Sequence, residues 1–241
     1  MSQDPPETSD RRIRSFVIRG GRMTASQQLA LDQQFEHYGL RPESGIADWA
    51  TVFGNDHPVV LEIGFGMGDS LATMAQAEPH VNFVGVEVHR PGVGRLMALA
   101  NKAALNNLRI YNADVIDVLH HCIAANSLAR INIYFPDPWH KKRHHKRRLI
   151  RPELIEKLEA VLQADGILHI ATDWQPYAEA VVELFTTQRQ FTNVAGKETY
   201  VNREDFGRPI TKFEKRGQRL GHGVWDIVYR YQPIAELRDD V

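Results

Sequence analysis

This chain of 241 residues has one cysteine, Cys122, and no apolar run near the roughly 18 residues that span a bilayer. A single cysteine excludes an intramolecular disulfide framework and fits a reducing compartment. The first ten residues, MSQDPPETSD, are polar and acidic, which is not typical of a secretory signal. We therefore expect a cytoplasmic protein without a membrane anchor. At 43% hydrophobic and 24% charged residues, the composition is that of an ordinary globular domain.

The chain also has almost no net charge, only −1, but the charge is unevenly distributed. Three segments are basic: Arg11–Arg22 carries +5, Lys141–Arg151 carries +7 and Arg208–Arg219 carries +4. Together they carry +16, which leaves −17 on the rest of the chain. A single basic run is most often a solvated face. Three runs that converge in space would instead form a surface for a polyanion such as a nucleic acid.

Short apolar runs alternate with amphipathic stretches from His57 onward. This alternation predicts one α/β domain with a doubly wound, Rossmann-like sheet, mostly parallel and with an antiparallel C-terminal strand. The predicted strands are 59–63, 81–88, 108–112, 131–135, 167–171 and 224–231. The predicted helices are 26–38, 69–76, 94–105, 152–162 and 177–187, with Gly166 expected to end the fourth. We expect residues 1–14 to be a disordered tail and residues 15–241 to form the domain.

A glycine-rich turn follows the first predicted strand, from Glu62 to Asp69, with glycines at Gly64, Gly66 and Gly68. Glycines at alternate positions let the backbone turn sharply and approach a ligand. A dinucleotide fingerprint would need its third glycine at position 69, which is an aspartate. Carboxylates before and after the turn suit a cationic ligand better than a pyrophosphate, and S-adenosylmethionine is such a ligand. A tight turn without any ligand is the alternative.

Two further acids lie at the ends of the next strands. Glu87 suits a carboxylate that accepts hydrogen bonds from two ribose hydroxyls. Asp114 suits an acceptor for an adenine amino group. Each acid alone could equally cap a helix, but their order along successive strand ends favours a nucleoside site.

The stretch Ile131–Arg151 carries the most distinctive pattern. An apolar run ends in Pro136-Asp137-Pro138-Trp139, and seven Lys or Arg with no acid follow between Lys141 and Arg151. The prolines restrict the backbone around Asp137. A rigidly held carboxylate beside a positive field indicates chemistry on a nucleic acid. Asp173 ends the following predicted strand, where it would either hold the same base or cap the next helix.

Two histidines in this stretch, His140 and His144, have the i,i+4 spacing of a metal pair. No Glu, Asp or Cys joins them among seven cations, and a metal cation there would be repelled. We therefore expect no metal.

With these residues, the sequence resembles the class I methyltransferases and, more closely, the bacterial tRNA (guanine-N7)-methyltransferases, the TrmB family. The resemblance covers about 14–231, and its specific motifs are YFPDPWHKKRHHKRR, ATDW and TKFEKRGQRLGHGVWD. It implies a class I methyltransferase fold, S-adenosyl-L-methionine as methyl donor, and N7 of guanosine 46 in the tRNA variable loop as acceptor. It implies cofactor contacts at Glu62, Gly64, Gly66, Gly68, Glu87, Asp114 and Asp137, with Asp137 also catalytic. It implies substrate contacts at Lys141, Asp173, Thr211, Lys212, Phe213 and Glu214, and RNA contacts at Arg143, His144, His145, Lys146, Arg147 and Arg148.

Guanine N7 already has a free lone pair, so its methylation needs no deprotonation. We therefore expect Asp137 to orient the base and stabilise developing positive charge rather than act as a general base. We expect a monomer or weak homodimer. Two alternatives stay open. A nicotinamide-dependent oxidoreductase is disfavoured by the glycine spacing, and a non-catalytic RNA-binding protein on the same fold is disfavoured by the intact series of acids.

Overall fold

The computed structural model describes residues 22–211, 214 and 223–234. Its α-helices are α1 (Ala25–Tyr38), α2 (Trp49–Phe53), α3 (Asp69–Ala77), α4 (Arg90–Lys102), α5 (Val115–His121), α6 (Pro152–Val161) and α7 (Gln175–Phe185). Its strands are β1 (Gly39–Leu40), β2 (Val59–Ile63), β3 (Asn82–Val86), β4 (Leu108–Tyr111), β5 (Leu128–Tyr134), β6 (Leu162–Thr172), β7 (Phe191–Asn193) and β8 (Trp225–Tyr231). Short 3-10 helices lie at Pro42–Ser44, Lys142–Arg147, Gly196–Glu198 and Arg203–Phe206.

The strands form one eight-stranded sheet in the order β1-β4-β3-β2-β5-β6-β8-β7. The pairs from β1 to β6 are parallel, whereas β8 is antiparallel to both β6 and β7. This confirms the predicted mostly parallel sheet with an antiparallel C-terminal strand. The chain runs outward from β2 through β3 to β4 and then returns to place β5 on the other side of β2. The carboxyl ends of β2 and β5 therefore meet at a topological switch point, where open α/β sheets bind their ligands.

Helices cover both faces of the sheet, which explains why its central strands are mostly apolar. Every residue of β2 and β3 is buried. One core cluster packs the sheet against α5, α6 and α7, and the other packs it against α1, α3 and α4. The one cysteine, Cys122, is buried in the first cluster.

Some predicted boundaries were wrong. Gly166 does not end α6, because that helix stops at Val161 and the chain enters β6 directly. The register of β6 against β5 shifts between the pairs Leu128↔Leu162 and Arg130↔Ile167, and Gly166 lies in the bulged part. The sequence also gave no strong signal for β1, α2 and β7, which are two, five and three residues long.

The helix α4 begins at Arg90, earlier than predicted, although it contains two glycines. Both glycines are needed for close packing. A Cβ at Gly92 would lie 1.9 Å from the carbonyl oxygen of Gly66, and one at Gly94 would lie 2.4 Å from that of Gln27 in α1. The glycines thus bring α4 against the glycine-rich turn and against α1.

Candidate active site

The glycine-rich turn joins β2 to α3 in a conformation that its three glycines make possible. Gly64, Gly66 and Gly68 have φ values of +74°, +59° and +77°, in the left-handed region that other residues rarely adopt. A Cβ on Gly64 or Gly66 would contact nothing within 4 Å, so this part of the turn borders open space. The expected glycine turn is therefore present, with room for a ligand against its backbone.

The two carboxylates that flank the turn have different surroundings. Asp69 forms a bidentate ion pair with Arg95 of α4, with Nη2 2.7 Å from Oδ1 and Nε 3.3 Å from Oδ2. This pair ties α3 to α4 and neutralises Asp69. The expectation that both flanking acids would attract a cation therefore needs correction, because Asp69 already has a cationic partner.

Glu62 is only 2% exposed and lies in the sheet between Gly85 of β3 and Asn132 of β5. Burial raises the pKa of Glu62 to about 8; Arg130 opposes this rise and Glu87 adds to it. Among the described residues, Oε2 of Glu62 has no hydrogen-bond partner. A buried carboxyl without a partner is costly for the fold alone, and a cationic ligand would both pair with it and favour its ionised form.

Glu87 follows β3 and holds the turn itself. Its Oε2 accepts from Gly66 N at 2.9 Å, and its Oε1 accepts from the backbone N–H groups of Val88 and His89 at 2.8 and 2.9 Å. A carboxylate has about four acceptor positions, so one is left for a ribose hydroxyl. Sequence reasoning did not anticipate that Glu87 also fixes the glycine turn.

Asp114 is the N-cap of α5, and its Oδ1 accepts from Ile116 N at 3.0 Å. The helix-capping alternative for this residue is therefore observed. A second oxygen of the same carboxylate remains for the expected adenine contact, which stays a prediction.

A cavity of about 240 Å³ lies between the ends of β2, β3, β4 and β5. Its lining is formed by the glycine turn and Glu87, by apolar side chains, and by the turn that contains Asp137, which we call the Asp137 turn. The lining residues are Ile63, Gly64, Val86, Glu87, Val88, Ala113, Val115, Tyr134, Phe135, Pro136, Asp137 and Leu149. The cavity thus combines apolar side chains with the carboxylate of Glu87.

Asp137 is exposed at the rim of this cavity, in a turn whose backbone is unusual. The residues on either side of the Pro-Asp-Pro sequence, Phe135 and Trp139, have φ values of +52° and +48°. Non-glycine residues in this region are strained and persist only where the surroundings hold them. Phe135 N donates to Ala171 O at 2.8 Å, and Arg148 Nε donates to Pro138 O at 3.0 Å. The turn is thus held from both ends, which supports the predicted rigid placement of Asp137.

Asp173 lies at the neighbouring strand end, because Tyr134 of β5 pairs with Ala171 of β6. Asp173 is exposed, and it does not cap α7. The N-cap is Trp174, without a side-chain hydrogen bond, and its N–H donates to Thr172 Oγ1 at 3.3 Å. The structure therefore leaves Asp173 exposed at the same edge of the sheet as Asp137.

The basic run after Asp137 forms the 3-10 helix Lys142–Arg147, and its members differ in role. Lys141, Lys142, Arg143 and Lys146 are exposed, as expected of phosphate-binding side chains. The side chains of this run that are partly buried are those of His144, His145 and Arg147. Desolvation and the surrounding cations lower the pKa of His144, so it is neutral near pH 7.

Arg148 differs from its neighbours because it is buried. Besides its bond to Pro138 O, its guanidinium lies 4.7 Å from the centre of the Tyr177 ring, and its Nη2 is 3.1 Å from His145 Nε2. Arg148 therefore supports the Asp137 turn from within, rather than facing RNA as the resemblance implied.

Arg208 is also buried, so it does not belong to a basic surface as its place in the third basic segment suggested. Its Nη1 and Nη2 donate to Glu214 at 2.7 and 3.2 Å, and its Nε and Nη2 donate to Asp226 of β8. Burial alone would lower the pKa of Arg208, but the hydrogen bonds to Asp226 and Glu214 raise it above its ordinary value. Arg208 is thus a charged structural link.

The same network reaches the Asp137 turn through two further side chains. His169 Nε2 is 2.7 Å from Asp226 Oδ1, and Tyr134 Oη is 3.2 Å from His169 Nδ1. Burial lowers the pKa of His169 despite Asp226, and burial raises the pKa of Tyr134. A neutral His169 would donate from Nε2 to Asp226 and accept at Nδ1 from the Tyr134 hydroxyl. Sequence reasoning missed this network, because its members are far apart in the chain.

The network also places part of the TKFE sequence. Glu214 is 2% exposed, its backbone N–H donates to Thr211 Oγ1 at 3.0 Å, and Thr211 N donates to Glu214 Oε2 at 3.4 Å. Glu214 is therefore engaged with Arg208 and Thr211. Lys212 and Phe213 lie outside the described residues, as do residues 1–21, with most of the first basic segment and the predicted N-terminal tail.

The described residues form neither a metal site nor a membrane-spanning helix. Within 22–211, 214 and 223–234, no group of three or more His, Cys, Asp or Glu side chains is placed to hold a metal ion. The helices in this part of the chain are all too short or too polar to cross a membrane.

Known proteins match this chain over most of its length. A family model described as "Putative methyltransferase" matches residues 56–227. A tRNA (guanine-N(7)-)-methyltransferase from Pseudoalteromonas atlantica is 51% identical and covers 91% of each chain. The enzymes of that name from Saccharophagus degradans and Pseudomonas putida are each 51% identical and cover 93% and 95% of this chain and 97% of their own. This chain belongs to the tRNA (guanine-N(7)-)-methyltransferase family. This confirms the family that the sequence motifs indicated.

Solved structures of lower identity agree with the fold of this family. The 16S rRNA methyltransferase KamB superposes with a TM-score of 0.56 at 15% identity, over 78% of this chain and 95% of its own. An rRNA methylase from Streptococcus thermophilus superposes with a TM-score of 0.51 at 14% identity, over 88% of this chain and 100% of its own. At such identities the likeness shows the Rossmann-like methyltransferase fold alone.

Proposed function

We propose that this protein transfers a methyl group from S-adenosyl-L-methionine to N7 of guanosine 46 in the variable loop of tRNA, giving 7-methylguanosine. The placement of Asp137 carries the proposal. Its carboxylate is exposed in a strained, well-supported turn, at the rim of a nucleoside-sized cavity and next to four exposed cations. The relatives' names agree with this assignment. Because tRNA is cytoplasmic, the substrate also implies a cytoplasmic protein.

The residues at the switch point fit S-adenosyl-L-methionine. The partnerless Oε2 of Glu62 suits its ammonium group, and the remaining acceptor position of Glu87 suits a ribose hydroxyl. The apolar slot beside Ala113 suits the adenine ring, with Asp114 as the acceptor for the adenine amino group. When bound there, the cofactor supplies a methyl group on a positively charged sulfur, which makes that methyl carbon electrophilic.

The protein's own task is to place guanine N7 in line with that methyl group. Alignment of two reactants can lower a barrier by about 7–11 kcal/mol. Asp137 accepts from the guanine N1–H and amino group, and its charge favours the positive charge that develops on the purine. Asp173, at the adjacent strand end, helps to hold the same base. No side chain needs to remove a proton before N7 reacts.

The exposed cations Lys141, Lys142, Arg143 and Lys146 hold phosphates of the RNA. Such contacts position RNA without reading its sequence. Selection of one guanosine then comes from the shape of the tRNA and from the capture of a base outside its stack. The proposed binding of RNA phosphates does not depend on the first basic segment or on most of the third.

The direct test is incubation with labelled S-adenosyl-L-methionine and unmodified tRNA, followed by nucleoside mapping. We expect label in 7-methylguanosine at position 46. Label at guanine N1 or N2, or on DNA or protein, would overturn the proposed acceptor but not the fold. Protection against unfolding by NAD(H) but not by S-adenosyl-L-methionine would favour an oxidoreductase, and tRNA binding without S-adenosyl-L-methionine binding would favour a non-catalytic protein.

A further inference from the structure

Trp174 breaks two local rules of protein structure. It is a large apolar residue with 39% of its surface exposed, and it occupies the N-cap of α7 without any side-chain hydrogen bond. Ser, Thr, Asp and Asn are the residues that stabilise a helix at this position. A residue that costs stability both by its exposure and at a helix end often has a functional reason.

The backbone of Trp174 is anchored to α7, and its indole has an aromatic neighbour. The carbonyl oxygen of Trp174 accepts from Tyr177 N at 2.9 Å and from Ala178 N at 3.1 Å, and both of those residues are buried. The ring of His140 lies against the indole in an edge-to-face arrangement, with the ring centres 4.3 Å apart. An aromatic surface on an ordered backbone is thus exposed to a partner.

The position of this pair connects it with the proposed acceptor site. Trp174 directly follows Asp173, and His140 lies three residues after Asp137. The two turns are neighbours because Phe135 N donates to Ala171 O. On the other side, His140 is followed by the exposed Lys141 and the basic 3-10 helix.

We propose that Trp174, with His140 packed against it, is a stacking site for an unpaired RNA base next to the guanosine that is methylated. This inference rests on the proposed function. A base that is captured for chemistry leaves its neighbours without their stacking partner, and exposed aromatic rings bind such bases. The nearby cations bind the phosphates that connect these bases, so the surface matches a nucleic acid in both charge and apolar area.

Three variants test this site: Trp174→Ser, Trp174→Phe and, as a control, Ile46→Ala. Ile46 is 67% exposed, and its neighbour Ala47 donates to Cys122 O beyond the C-terminal end of α5, away from the strand ends that form the site. Serine removes the ring but supplies a good N-cap, so Trp174→Ser should be as heat-stable as the wild type or more so. Its tRNA affinity should fall by about 5- to 150-fold, the usual effect of losing one base–aromatic contact.

Trp174→Phe and Ile46→Ala should bind tRNA within about threefold of the wild type, and all three variants should keep their affinity for S-adenosyl-L-methionine. Repeating the measurement with tRNAs that lack one base, 5′ or 3′ of the target guanosine, identifies the stacked base. The tRNA that lacks the stacked base should bind to the wild type and to Trp174→Ser with equal affinity.

Unchanged tRNA binding by Trp174→Ser would overturn the stacking site, and so would a joint loss of tRNA and S-adenosyl-L-methionine binding by both Trp174 variants. The proposal would also be wrong if Trp174→Ser bound every tRNA that lacks a base next to the target guanosine more weakly than the wild type does, and by the same factor. Failure of the proposed function gives a different result, since the wild type would then bind tRNA but leave guanine N7 unmethylated.

Discussion

Arg208 donates two hydrogen bonds to Asp226, from Nε to Oδ1 at 2.5 Å and from Nη2 to Oδ2 at 2.7 Å, and both side chains are buried. This ion pair fastens the segment after the last 3-10 helix to β8. Through Glu214 and His169 it also connects the TKFE sequence with the strand that leads to Asp137. The acceptor side of the site thus depends on a buried charge network.

Removal of Arg208 should destabilise the protein strongly, because it leaves buried Asp226 without a cation and leaves Glu214 with only the longer ion pair to Arg203, at 3.7 Å. For Arg208→Met we expect a loss of about 3–5 kcal/mol in the free energy of unfolding. Arg230→Ala is the matched control, since its ion pair with Asp165 is 3.8 Å long and half exposed, and its loss should cost less than about 1 kcal/mol. Urea denaturation of the two variants compares them, and similar small losses would contradict the network's structural role.

Glu62 should make stability depend on pH in the absence of S-adenosyl-L-methionine. Its folded-state pKa of about 8 lies above the ordinary value of 4.5, so the folded protein holds this proton more tightly than the unfolded chain. Its contribution to stability is therefore full below about pH 4.5 and is lost as the pH rises to about 8.

Glu62→Gln removes this proton exchange. Relative to that variant, the free energy of unfolding of the wild type should fall by on the order of a few kcal/mol between pH 5 and pH 8. Urea denaturation at several pH values gives both curves. Parallel curves would show that Glu62 titrates alike in the folded and unfolded states.

Substitutions of the cations that follow Asp137 should have two different effects, one for the exposed side chains and one for the buried Arg148. Neutralising Lys142, Arg143 and Lys146 together should weaken tRNA binding and reduce the slope of log K against log salt by about 2–3, since each phosphate contact contributes about 0.7–0.9. Arg148→Gln should instead slow methylation and leave that slope unchanged, because Arg148 is buried under the turn. An unchanged slope in the triple variant would mean that the run is only a solvated face.

Gly92→Ala should damage the cofactor site specifically. The added Cβ would lie 1.9 Å from Gly66 O, a backbone atom of the glycine turn that cannot move alone. Gly94→Ala is the comparison, because its Cβ would meet α1 at Gln27 O instead. Both changes should destabilise by about 1–3 kcal/mol. Calorimetric titration with S-adenosyl-L-methionine should show the larger loss of affinity for Gly92→Ala, and equal losses would refute a specific role of that contact.

The sequence predicted the sheet and the glycine turn, because those features are local. Mostly apolar runs predicted β2 and β3, and the alternating glycines predicted a sharp turn after β2. By contrast, the predicted helix began at residue 94 and missed the first turn of α4, where Gly92 contacts the backbone of the glycine turn. A sequence pattern cannot show such contacts.

The acceptor side was only partly predictable for the same reason. The prolines around Asp137 indicated a rigid turn, but Arg148 looked like one cation among seven, and only its burial separates it from the others. Arg208 likewise looked like a surface charge until its partners Glu214 and Asp226, 6 and 18 residues away, came together around it. Charge runs predict where cations are dense, but not which of them are buried.

The central claim is that Asp137 orients a base that is already nucleophilic. Single-turnover methylation of tRNA by Asp137→Ala tests it most directly, with the affinities for S-adenosyl-L-methionine and tRNA measured on the same preparation. We expect the rate to fall by about 100-fold or more, in line with the loss of one preorganised electrostatic contact, while both affinities stay within about threefold of the wild type. A wild-type rate in this variant would contradict the account.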